Sequence, residues 1–412
     1  MRFPFRYLLL IAATAMTGVT AYGVSSGPPP NLTRHVSPET ASGGGGVGSD
    51  RAPVPPDAIP RPRTEPNLNL ADGFERIEAT RVLVPDDKEA TLVFAGDILI
   101  HASIRRVAST GADTFDFRPL FDGIRPLVAG ADLAICHLEV PLTSTNTDLS
   151  TYPRFNAPFE VADGIAYAGF DGCSTASNHA MDQGPEGLIG TLDLLDAAGV
   201  KHAGTARSAA EASTATVYQV GELTVAHIAA TYWLNGLTTP QGQEWMAQRI
   251  DVDSILDWTG RARWAGADLV VVSIHCCTEY RAEPTTEQVA IFEQLIRSPW
   301  VDLVVGHHSH VVGPVTEIGG EYLVYGLGNL VSGQRQFTGT MEGVLVVATA
   351  EWVEDRWVFA DLSVVPTVVN PSSLMIELAP EDSTSFARTM SAVNLYGAGI
   401  GVYRPDGSVA AK

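Results

Sequence analysis

The chain has 412 residues, of which 45% are hydrophobic and 18% are charged, so it can form one large or two ordinary globular domains with a buried core. Its formal net charge of −21 argues against a nucleic acid as the main partner, because contacts to phosphates need lysine and arginine. The charge does not exclude a phosphate-bearing substrate held by metal ions, since the ions supply the positive charge.

The N-terminus has the pattern of a targeting segment. Arg2 and Arg6 precede the apolar run YLLLIAATAMTGVTAYGV, and Val-Thr-Ala at 19–21 offers the small residues that a signal peptidase accepts. Residues 1–24 are therefore predicted to be a signal peptide or, if uncleaved, a membrane anchor that leaves the bulk of the protein outside. Both alternatives stay open, and both predict an extracytoplasmic protein, either secreted or anchored to the cell membrane.

A stretch rich in proline, glycine and small polar residues follows the targeting segment. It contains GPPP, SGGGG and PRPR and has no apolar run that could fill a core. Residues 25–75 are therefore predicted to be a disordered linker. The main domain is predicted over residues 89–370, and residues 371–412 are predicted to be a C-terminal extension.

Within the main domain, apolar strand-like runs alternate with helical periodicity. The first half predicts the strand TLVFAG (91–96), an amphipathic helix over 115–130, the strand ADLAICHLE (131–139), a helix over 161–170, the strand DGCSTAS (171–177) and a helix over 185–199. The second half predicts a hairpin turning at Gly221-Glu222, a helix ending at 266, the strand DLVVVSIH (268–275), a helix over 285–298, the strand VDLVVGHH (301–308), a hairpin turning at Gly319-Gly320 and a strand-rich tail over 343–366. This pattern indicates an α/β fold whose sheet is mixed and buried on both faces.

Four cysteines are too few for a disulfide scaffold. Cys136 and Cys173 each fall shortly before a candidate site residue on a predicted strand, so they could be neighbours and form a bridge. We expect them to be buried free thiols instead. Cys276 and Cys277 are adjacent and lack the CxxC spacing, so we expect no metal site there.

Five of the predicted strands run directly into side chains that can bind metal. These are Asp97 after TLVFAG, Glu139 after ADLAICHL, Asn178 and His179 after DGCSTAS, His275 after DLVVVSI, and His307, His308 and His310 after VDLVVG. In open α/β sheets, ligands bind beyond the carboxyl ends of the strands, so neighbouring strands would bring these side chains into one crevice. Carboxylates, an amide oxygen and imidazoles suit Mn, Fe or Zn, and a carboxylate can bridge two such ions.

Each of these residues also has an ordinary structural interpretation. A lone aspartate after a strand is usually a turn or capping residue, and Asn178 alone could be a helix cap. His101, four residues after Asp97, is more often a satisfied surface or helix residue than a ligand. Three imidazoles within GHHSH do not form a core pattern, however, and the coincidence of five strand ends favours a metal site.

The strand ends lie in motifs that resemble those of the CapA-type proteins of poly-γ-glutamate capsule synthesis, whose domain is similar to the calcineurin-like metallophosphoesterases. In chain order the motifs are GDILIH, HLEVPLT, FNAPFEVADGIAYAGFD, SNHAMDQG, HAGTARSAAEA, TYWLNG, HCCTEY, GHHSHVVGPVTE and YGLGNL, between about Thr91 and Val331. The resemblance implies a mixed β-sandwich flanked by helices, in α-β-β-α layers, with the metal site at the strand ends.

The resemblance also implies roles for individual residues. The implied ligands are Asp97, Glu139 and His310 for one divalent ion, and Asn178, His275 and His308 for a second, with Glu139 bridging the pair. His179 matches the catalytic histidine that protonates the leaving oxygen or stabilises the transition state. Four further residues are expected to support the ligands or to face the substrate: Glu279, Tyr280, Asn329 and His307.

The chain departs from the family pattern at several positions. Leu99 stands where the phosphoesterase pattern has a histidine, so the first ion lacks a ligand unless His101 supplies it. His137 and Ser177 stand where the family has asparagine, and Cys276-Cys277 replaces Trp-Gly. The cysteine pair is expected to change the wall of the pocket.

The implied function is the biosynthesis of a capsule of poly-γ-glutamate or a related envelope polymer. The ligand set favours a metal-dependent hydrolase of phosphoesters, and an attack on an amide such as a γ-glutamyl link stays open because both reactions need an activated water. The alternative is a non-catalytic, metal-binding accessory subunit of a polymer synthesis or export complex, working with membrane subunits of the polymer synthase.

Overall fold

The structure is a computed structural model that describes residues 88–404 and 407–410 of the chain. The predicted targeting segment and the predicted linker lie outside the described residues. In the part of the chain that the structure describes, no helix combines the length and the apolar character needed to cross a bilayer.

Among the described residues, ten strands form the larger of two main sheets. They are β1 (Glu89–Ile98), β4 (Leu133–Leu138), β5 (Gly172–Ser174), β6 (Lys201–Ala203), β13 (Asn329–Val331), β14 (Glu342–Val353), β15 (Arg356–Val369), β16 (Ile376–Leu378), β17 (Gly401–Tyr403) and β18 (Val409–Ala410). The order is β18-β17-β15-β14-β1-β4-β5-β6, with β13 beside β1 and β16 beside β15. Because β1 pairs in parallel with β4 and antiparallel with β14, the sheet is mixed, as predicted.

The described chain contains a second main sheet of six strands. They are β7 (Thr216–Val220), β8 (Leu223–Thr231), β9 (Leu269–His275), β10 (Leu303–His307), β11 (Val315–Ile318) and β12 (Glu321–Val324), in the order β11-β12-β10-β9-β8-β7. The two predicted hairpins are confirmed as the antiparallel pairs β7–β8 and β11–β12, while β8, β9, β10 and β12 run parallel. A separate small ribbon joins β2 (Ser109–Gly111) to β3 (Thr114–Phe115).

The helices connect these strands. They are α1 (Ala102–Ala108), α2 (Arg125–Val128), α3 (Glu160–Ala168), α4 (Gly184–Ala197), α5 (Ala209–Ala212), α6 (Val252–Ala265), α7 (Thr286–Ile296) and α8 (Thr384–Val393). Most of the longer ones, such as α3, α6 and α7, pack on the outer faces of the sheets. Helices α6 and α7 begin at side chains that accept a backbone N–H of the first turn: Asp251 accepts from Ser254 before α6, and Thr285 accepts from Gln288 before α7. Helix α6 ends at Gly266, whose φ of 116° favours glycine.

The prediction of an amphipathic helix over residues 115–130 is wrong. The segment instead forms a 3₁₀ turn, Arg118–Phe121, and the one-turn helix α2, each with proline in its first turn. Proline can begin a helix but cannot continue one, because it has no N–H and its ring clashes with the preceding turn. The apolar side chains of the segment are nevertheless buried, since Phe117, Phe121 and Val128 belong to the core outside the larger sheet.

Three layers of apolar contacts separate the sheets and the helices. Between the sheets, Leu92 and Phe94 of β1 share one cluster with Val271 of β9 and Val305 of β10. On the other face of the larger sheet, the alternate β1 residues pack on α1 and α3, and on the other face of the smaller sheet β9 packs on α6 and α7. The order is therefore helix, sheet, sheet, helix, which confirms the α-β-β-α fold class.

The chain beyond residue 370 returns to the larger sheet. Strands β16 and β17 both pair with β15, and Val393 of α8 and Ile400 join the core between the sheets. The described part of the predicted C-terminal extension is thus packed against the main domain.

The expectation that Cys136 and Cys173 are free thiols is wrong. They lie opposite each other on the paired strands β4 and β5, with their Cα atoms 4.4 Å apart, and they form a disulfide. The neighbours Cys276 and Cys277 are also joined. The register of β4 against β5 places the first pair side by side, and the sequence alone specifies neither the order nor the register of these strands.

Candidate metal centre

The strand ends named from the sequence meet at one edge of the two sheets. Within the larger sheet, Asp97 lies in register with His137 of β4 and with Asn329 of β13. Within the smaller sheet, His275 of β9 lies opposite His307 of β10. Because the two sheets face each other across a shared core, the side chains that follow these strands converge between them.

Asp97 is the centre of the contacts on one side of the site, and it is 1% exposed. His307 donates from Nδ1 to Oδ1 at 3.1 Å, and the backbone N–H of His308 donates to Oδ2 at 3.2 Å. His310 Nδ1 also lies 3.2 Å from Oδ2. Burial by itself raises the pKa of Asp97, but the hydrogen bonds from His307 and His310 hold this pKa well below its usual range.

Glu139 lies at the middle of the site, 0% exposed, and neither of its carboxylate oxygens has a hydrogen-bond partner. Its Oε1 is 3.8 Å from His310 Nε2 and 4.0 Å from His275 Nε2. Burial raises the pKa of Glu139 well above its usual range, because this carboxylate lacks a close donor. Buried polar atoms are rarely left unpaired, and atoms about 4 Å apart can both reach one cation at about 2 Å. The residues therefore fit a cation bound beside Glu139.

The other side of the site holds the second implied set of ligands. His275 Nε2 lies 3.0 Å from Asn178 Oδ1, and the His275 and His308 rings are 4.6 Å apart. His308 and His310 have φ angles of 81° and 56°, in the left-handed region that non-glycine residues seldom adopt. Such backbone conformations are typical of functional sites, and here they accompany two imidazoles in one short loop.

The electrostatics differ between the two histidines of this loop. Burial lowers the pKa of His310 in itself, but the carboxylates of Glu139 and Asp97 outweigh it and raise this pKa to about 9. Burial, with His310 beside it, lowers the pKa of His308 to about 3, and its Nδ1 is buried without a partner. A neutral imidazole with an unpaired nitrogen is the form that binds a metal ion.

All six residues implied as ligands thus lie in one cluster. Among the described residues, three groups have donor atoms within 4.8 Å of one another: Glu139, His308 and His310; Asp97, His137 and His307; and His137, Glu139 and His275. His137 was not among the predicted ligands. The alternation of side chains along β4 could have indicated it. His137 lies two residues after Ile135, which faces the other sheet, and two before Glu139, so all three side chains point to the same face.

His179 lies beside the cluster and is fixed by a residue that the sequence reasoning missed. The ring donates from Nδ1 to Asp182 Oδ2 at 2.6 Å, and the same oxygen accepts the backbone N–H of Phe155 at 2.7 Å. The Phe155 ring packs edge-on against His179 with 4.7 Å between centroids. The spacing of three residues between His179 and Asp182 was the available signal.

Ser177, which replaces the family asparagine, ties His179 to Glu139. Its hydroxyl donates to the backbone carbonyl of Glu139 at 2.5 Å and accepts the backbone N–H of His179 at 3.1 Å. The serine therefore connects the backbone of Glu139, the residue implied to bridge two ions, to that of His179, the catalytic candidate.

His101 and Leu99 lie further from the cluster. The Leu99 side chain is buried in the apolar core outside the larger sheet, so it offers no ligand. His101 accepts the backbone N–H of Gly333 at Nδ1, 3.2 Å away, and its ring packs edge-on against Phe155. Burial lowers the pKa of His101 to about 4. It belongs to none of the three groups found in the described chain, and its role as a ligand stays a prediction.

The four residues expected to support the site lie around His310 and Asp97. His307 contacts Asp97 directly, and Asn329 Oδ1 is 3.1 Å from His310 Nδ1. Glu279 Oε1 is 3.9 Å from His310 Nε2. Tyr280 stacks on Phe337 with 3.9 Å between ring centroids, which places two aromatic rings next to the cluster.

Comparison with known proteins agrees with these motifs. Residues 91–334, more than half of the chain, match the model of the family described as bacterial capsule synthesis protein PGA_cap. The chain is 27% identical over 287 residues to the PGA biosynthesis protein CapA of Bacillus subtilis (strain 168), covering 66% of this chain and 70% of that protein. It is 23% identical over 285 residues to the capsule biosynthesis protein CapA of Bacillus anthracis, covering 66% and 67%.

More distant similarities cover smaller parts or show lower identity. The probable polyglutamine synthesis accessory protein of Mycobacterium tuberculosis (strain ATCC 25618 / H37Rv) is 27% identical over 172 residues, 39% of this chain and 44% of that protein. Among solved structures, the calcineurin-like phosphoesterase YfkN of Bacillus subtilis has a TM-score of 0.42 at 13% identity, covering 75% of this chain and 98% of that chain. The NAD nucleotidase of Haemophilus influenzae has a TM-score of 0.42 at 10% identity, and the coverage is 74% of this chain and 56% of that one. The family match and its motifs, aligned with the clustered strand ends, show that the chain belongs to the bacterial capsule synthesis protein PGA_cap family.

Proposed function

We propose that this protein is an extracytoplasmic, divalent-metal-dependent hydrolase of phosphoester or related bonds that acts in the biosynthesis of poly-γ-glutamate or a related envelope polymer. Family membership and the names of the two Bacillus relatives support the role in polymer synthesis. The observation that carries the hydrolase proposal is the buried Glu139, because neither of its oxygens has a hydrogen-bond partner and its Oε1 lies 3.8 Å from His310 Nε2 and 4.0 Å from His275 Nε2.

Two cations would be held by the clustered side chains. Asp97, Glu139 and His310 would bind one, and Glu139, Asn178, His275 and His308 would bind the other. The mixture of carboxylate, amide and imidazole donors suits Mn, Fe or Zn. When bound, such a pair would polarise a phosphoryl oxygen and make water a nucleophile at neutral pH.

His179 would serve the leaving group. Asp182 accepts a hydrogen bond from Nδ1–H and so fixes the orientation of the ring, and in the imidazolium form Nε2–H would donate its proton to the departing oxygen. The edge of Phe155 packs against the same ring and limits its movement. His179 and Asp182 thus form an acid and its orienting carboxylate.

A location outside the cytoplasm is supported by two features. The basic and apolar pattern of residues 1–24 is typical of a segment that engages the membrane during export. The Cys136–Cys173 disulfide is the kind of bond that persists in oxidising compartments. The expected partners are the polymer or a phosphoester precursor, and membrane subunits of a polymer synthase.

Metal analysis tests the proposal directly. We expect the purified protein to contain a divalent metal close to stoichiometry, and Asp97→Asn to lose much of it. Asp132→Asn is the matched control, because Asp132 lies at the opposite end of the neighbouring strand and accepts the backbone N–H of Thr91. A wild-type protein without metal and without affinity for Mn²⁺ or Zn²⁺ would contradict the proposal. A hydrolysis screen with phosphomonoester, phosphodiester and γ-glutamyl substrates then identifies the bond.

The accessory-subunit alternative is favoured by the name of the mycobacterial relative. A strain that carries both His179→Ala and Asp97→Asn distinguishes the two functions. Loss of polymer with normal protein levels supports catalysis. Unchanged polymer production supports a non-catalytic role within the synthase complex.

A further inference from the structure

His137 is a buried histidine that the proposed ligand sets do not contain. It is the penultimate residue of β4, it is 0% exposed, and it lies in register with Asp97 of β1. Its ring stacks on that of His307, with 4.2 Å between the centroids, and on that of His275, with 4.8 Å between the centroids. The side chain therefore reaches from the larger sheet to the two histidine-bearing strands of the smaller one.

The orientation of the His137 ring is set by its neighbour in the sheet. Ser174 of β5 lies opposite His137 in register, and its hydroxyl is 2.7 Å from Nδ1. The other nitrogen, Nε2, is buried and has no hydrogen-bond partner. Metal-ligating histidines have this arrangement, in which one nitrogen is held by a polar group and the other faces the ion.

Several donor atoms of the candidate metal centre surround His137. A ring nitrogen of His137 lies within 4.8 Å of donor atoms of Asp97 and His307, and within the same distance of donor atoms of Glu139 and His275. His137 thus approaches Asp97, which is assigned to one proposed ion, and Glu139, which the two proposed ions would share. His227 is another buried histidine between the sheets, and it bonds Ser273 at 2.9 Å and also has an unpaired nitrogen. It belongs to no such group of donor atoms in the described chain, so a buried unpaired nitrogen does not by itself indicate a ligand.

We propose that His137 binds a cation of this cluster through Nε2, as a ligand beyond the six already assigned. The inference rests on the proposed metal centre and adds a ligand to it. An additional imidazole favours zinc or iron over magnesium and calcium, which prefer oxygen donors. Ser174 is a positioning residue in this arrangement, because it acts on the ion only through the His137 ring.

Metal affinity of the chelator-stripped protein tests the inference. Zn²⁺ is titrated in competition with a chromophoric chelator, and Co²⁺ is titrated separately to record its visible spectrum. We expect His137→Ala to weaken one binding step on the order of 100-fold and Ser174→Ala on the order of tenfold, the range in which ligand-orienting changes act. His137→Ala is also expected to change the Co²⁺ spectrum. His227→Gln is the matched control and is expected to leave both the affinities and the spectrum unchanged.

The outcomes separate this inference from the proposed function. If the wild-type protein binds cations and His137→Ala binds them with the same affinities and spectrum, His137 is not a ligand, and the proposed centre stands. If the wild-type protein binds no cation, both proposals are wrong. If His137→Ala does not fold, Ser174→Ala decides, and unchanged affinities in that variant overturn the inference. A loss of affinity in His227→Gln equal to that in His137→Ala also overturns it, because the effect then belongs to the core.

Discussion

The pair formed by His179 and Asp182 shows how much of a site depends on the partner of a residue. The histidine could be singled out from SNHAMDQG, but the role of Asp182, the carboxylate of the same motif, becomes visible only from its contact with the ring. The structure places Asp182 2.6 Å from Nδ1 of His179 and buries both side chains. A carboxylate in this position fixes the tautomer and the direction in which the ring can give a proton.

Replacement of Asp182 by asparagine tests this role. Asp182→Asn keeps the shape of the side chain but removes the anionic acceptor, so we expect kcat for a phosphodiester substrate to fall on the order of 100-fold or more, the range of general acid–base catalysis. The metal content is expected to stay at the wild-type value. Asp193→Asn is the control, because Asp193 is exposed and bonds Arg207 away from the site. An unchanged kcat, or a loss of metal in the variant, would show that Asp182 has a different role.

At the residue scale, the sequence identified the candidate ligands more readily than the residues around them. Asp97, Glu139 and His308 could be named because family motifs mark them and because each follows an apolar strand. In the sequence, His137 stands out only because it occupies a position where the family has asparagine. Its proximity to both carboxylates depends on which face of β4 meets the smaller sheet, and this face is decided by packing between distant segments.

At the scale of elements, four aspartates at strand starts repeat one pair of contacts. Each donates its backbone N–H to a carbonyl of the neighbouring strand and accepts, through Oδ2, the N–H of that same residue. The pairs are Asp132 with Thr91, Asp171 with Ala134, Asp268 with Thr224, and Asp302 with Val270. The contacts lie at the amino ends of parallel strands in both sheets, opposite the metal centre, and they hold the register that aligns the carboxyl ends.

Removal of one such contact is expected to weaken the fold and leave the metal centre intact. Asp268→Ala leaves the Thr224 N–H without its carboxylate acceptor, and a hydrogen bond to a charged group contributes about 1.5–3 kcal/mol. We therefore expect the free energy of unfolding in urea to fall by roughly 2 kcal/mol. Asp361→Ala, at an exposed position on β15, is the control and is expected to change it little. Equal stabilities of the two variants would show that the contact is not important for the fold.

These contacts explain which elements could be predicted. Strands β4, β9 and β10 each begin at the leucine of an Asp-Leu pair and end at a candidate ligand or one residue before it, so composition marks both ends. The segment 115–130 has helical apolar spacing but contains Pro119 and Pro126, and the prolines divided it into short turns. The pairing of Cys136 with Cys173 required the order and register of β4 and β5, which local sequence does not specify.

For the molecule as a whole, the candidate metal centre lies across the boundary between the two sheets. Asp97, Glu139 and Asn178 follow strands of the larger sheet, whereas His275, His308 and His310 come from the smaller one. Below the centre, apolar residues of both sheets, such as Phe94 and Val271, belong to one shared cluster. A cation bound by carboxylates from one sheet and imidazoles from the other would connect them at their polar edge.

Removal of the metal is therefore expected to destabilise the entire domain. A ligand that binds only the folded state at a thousand times its Kd contributes about 4 kcal/mol, so chelation is expected to lower Tm on the order of 10 °C. Scanning calorimetry with and without chelator measures this shift, and re-addition of Mn²⁺ or Zn²⁺ is expected to restore the higher Tm. Asp97→Asn is expected to show a much smaller shift, because it has lost a ligand from the larger sheet. The same Tm for the metal-loaded and stripped wild-type protein would mean that cations do not join the sheets, even if they bind.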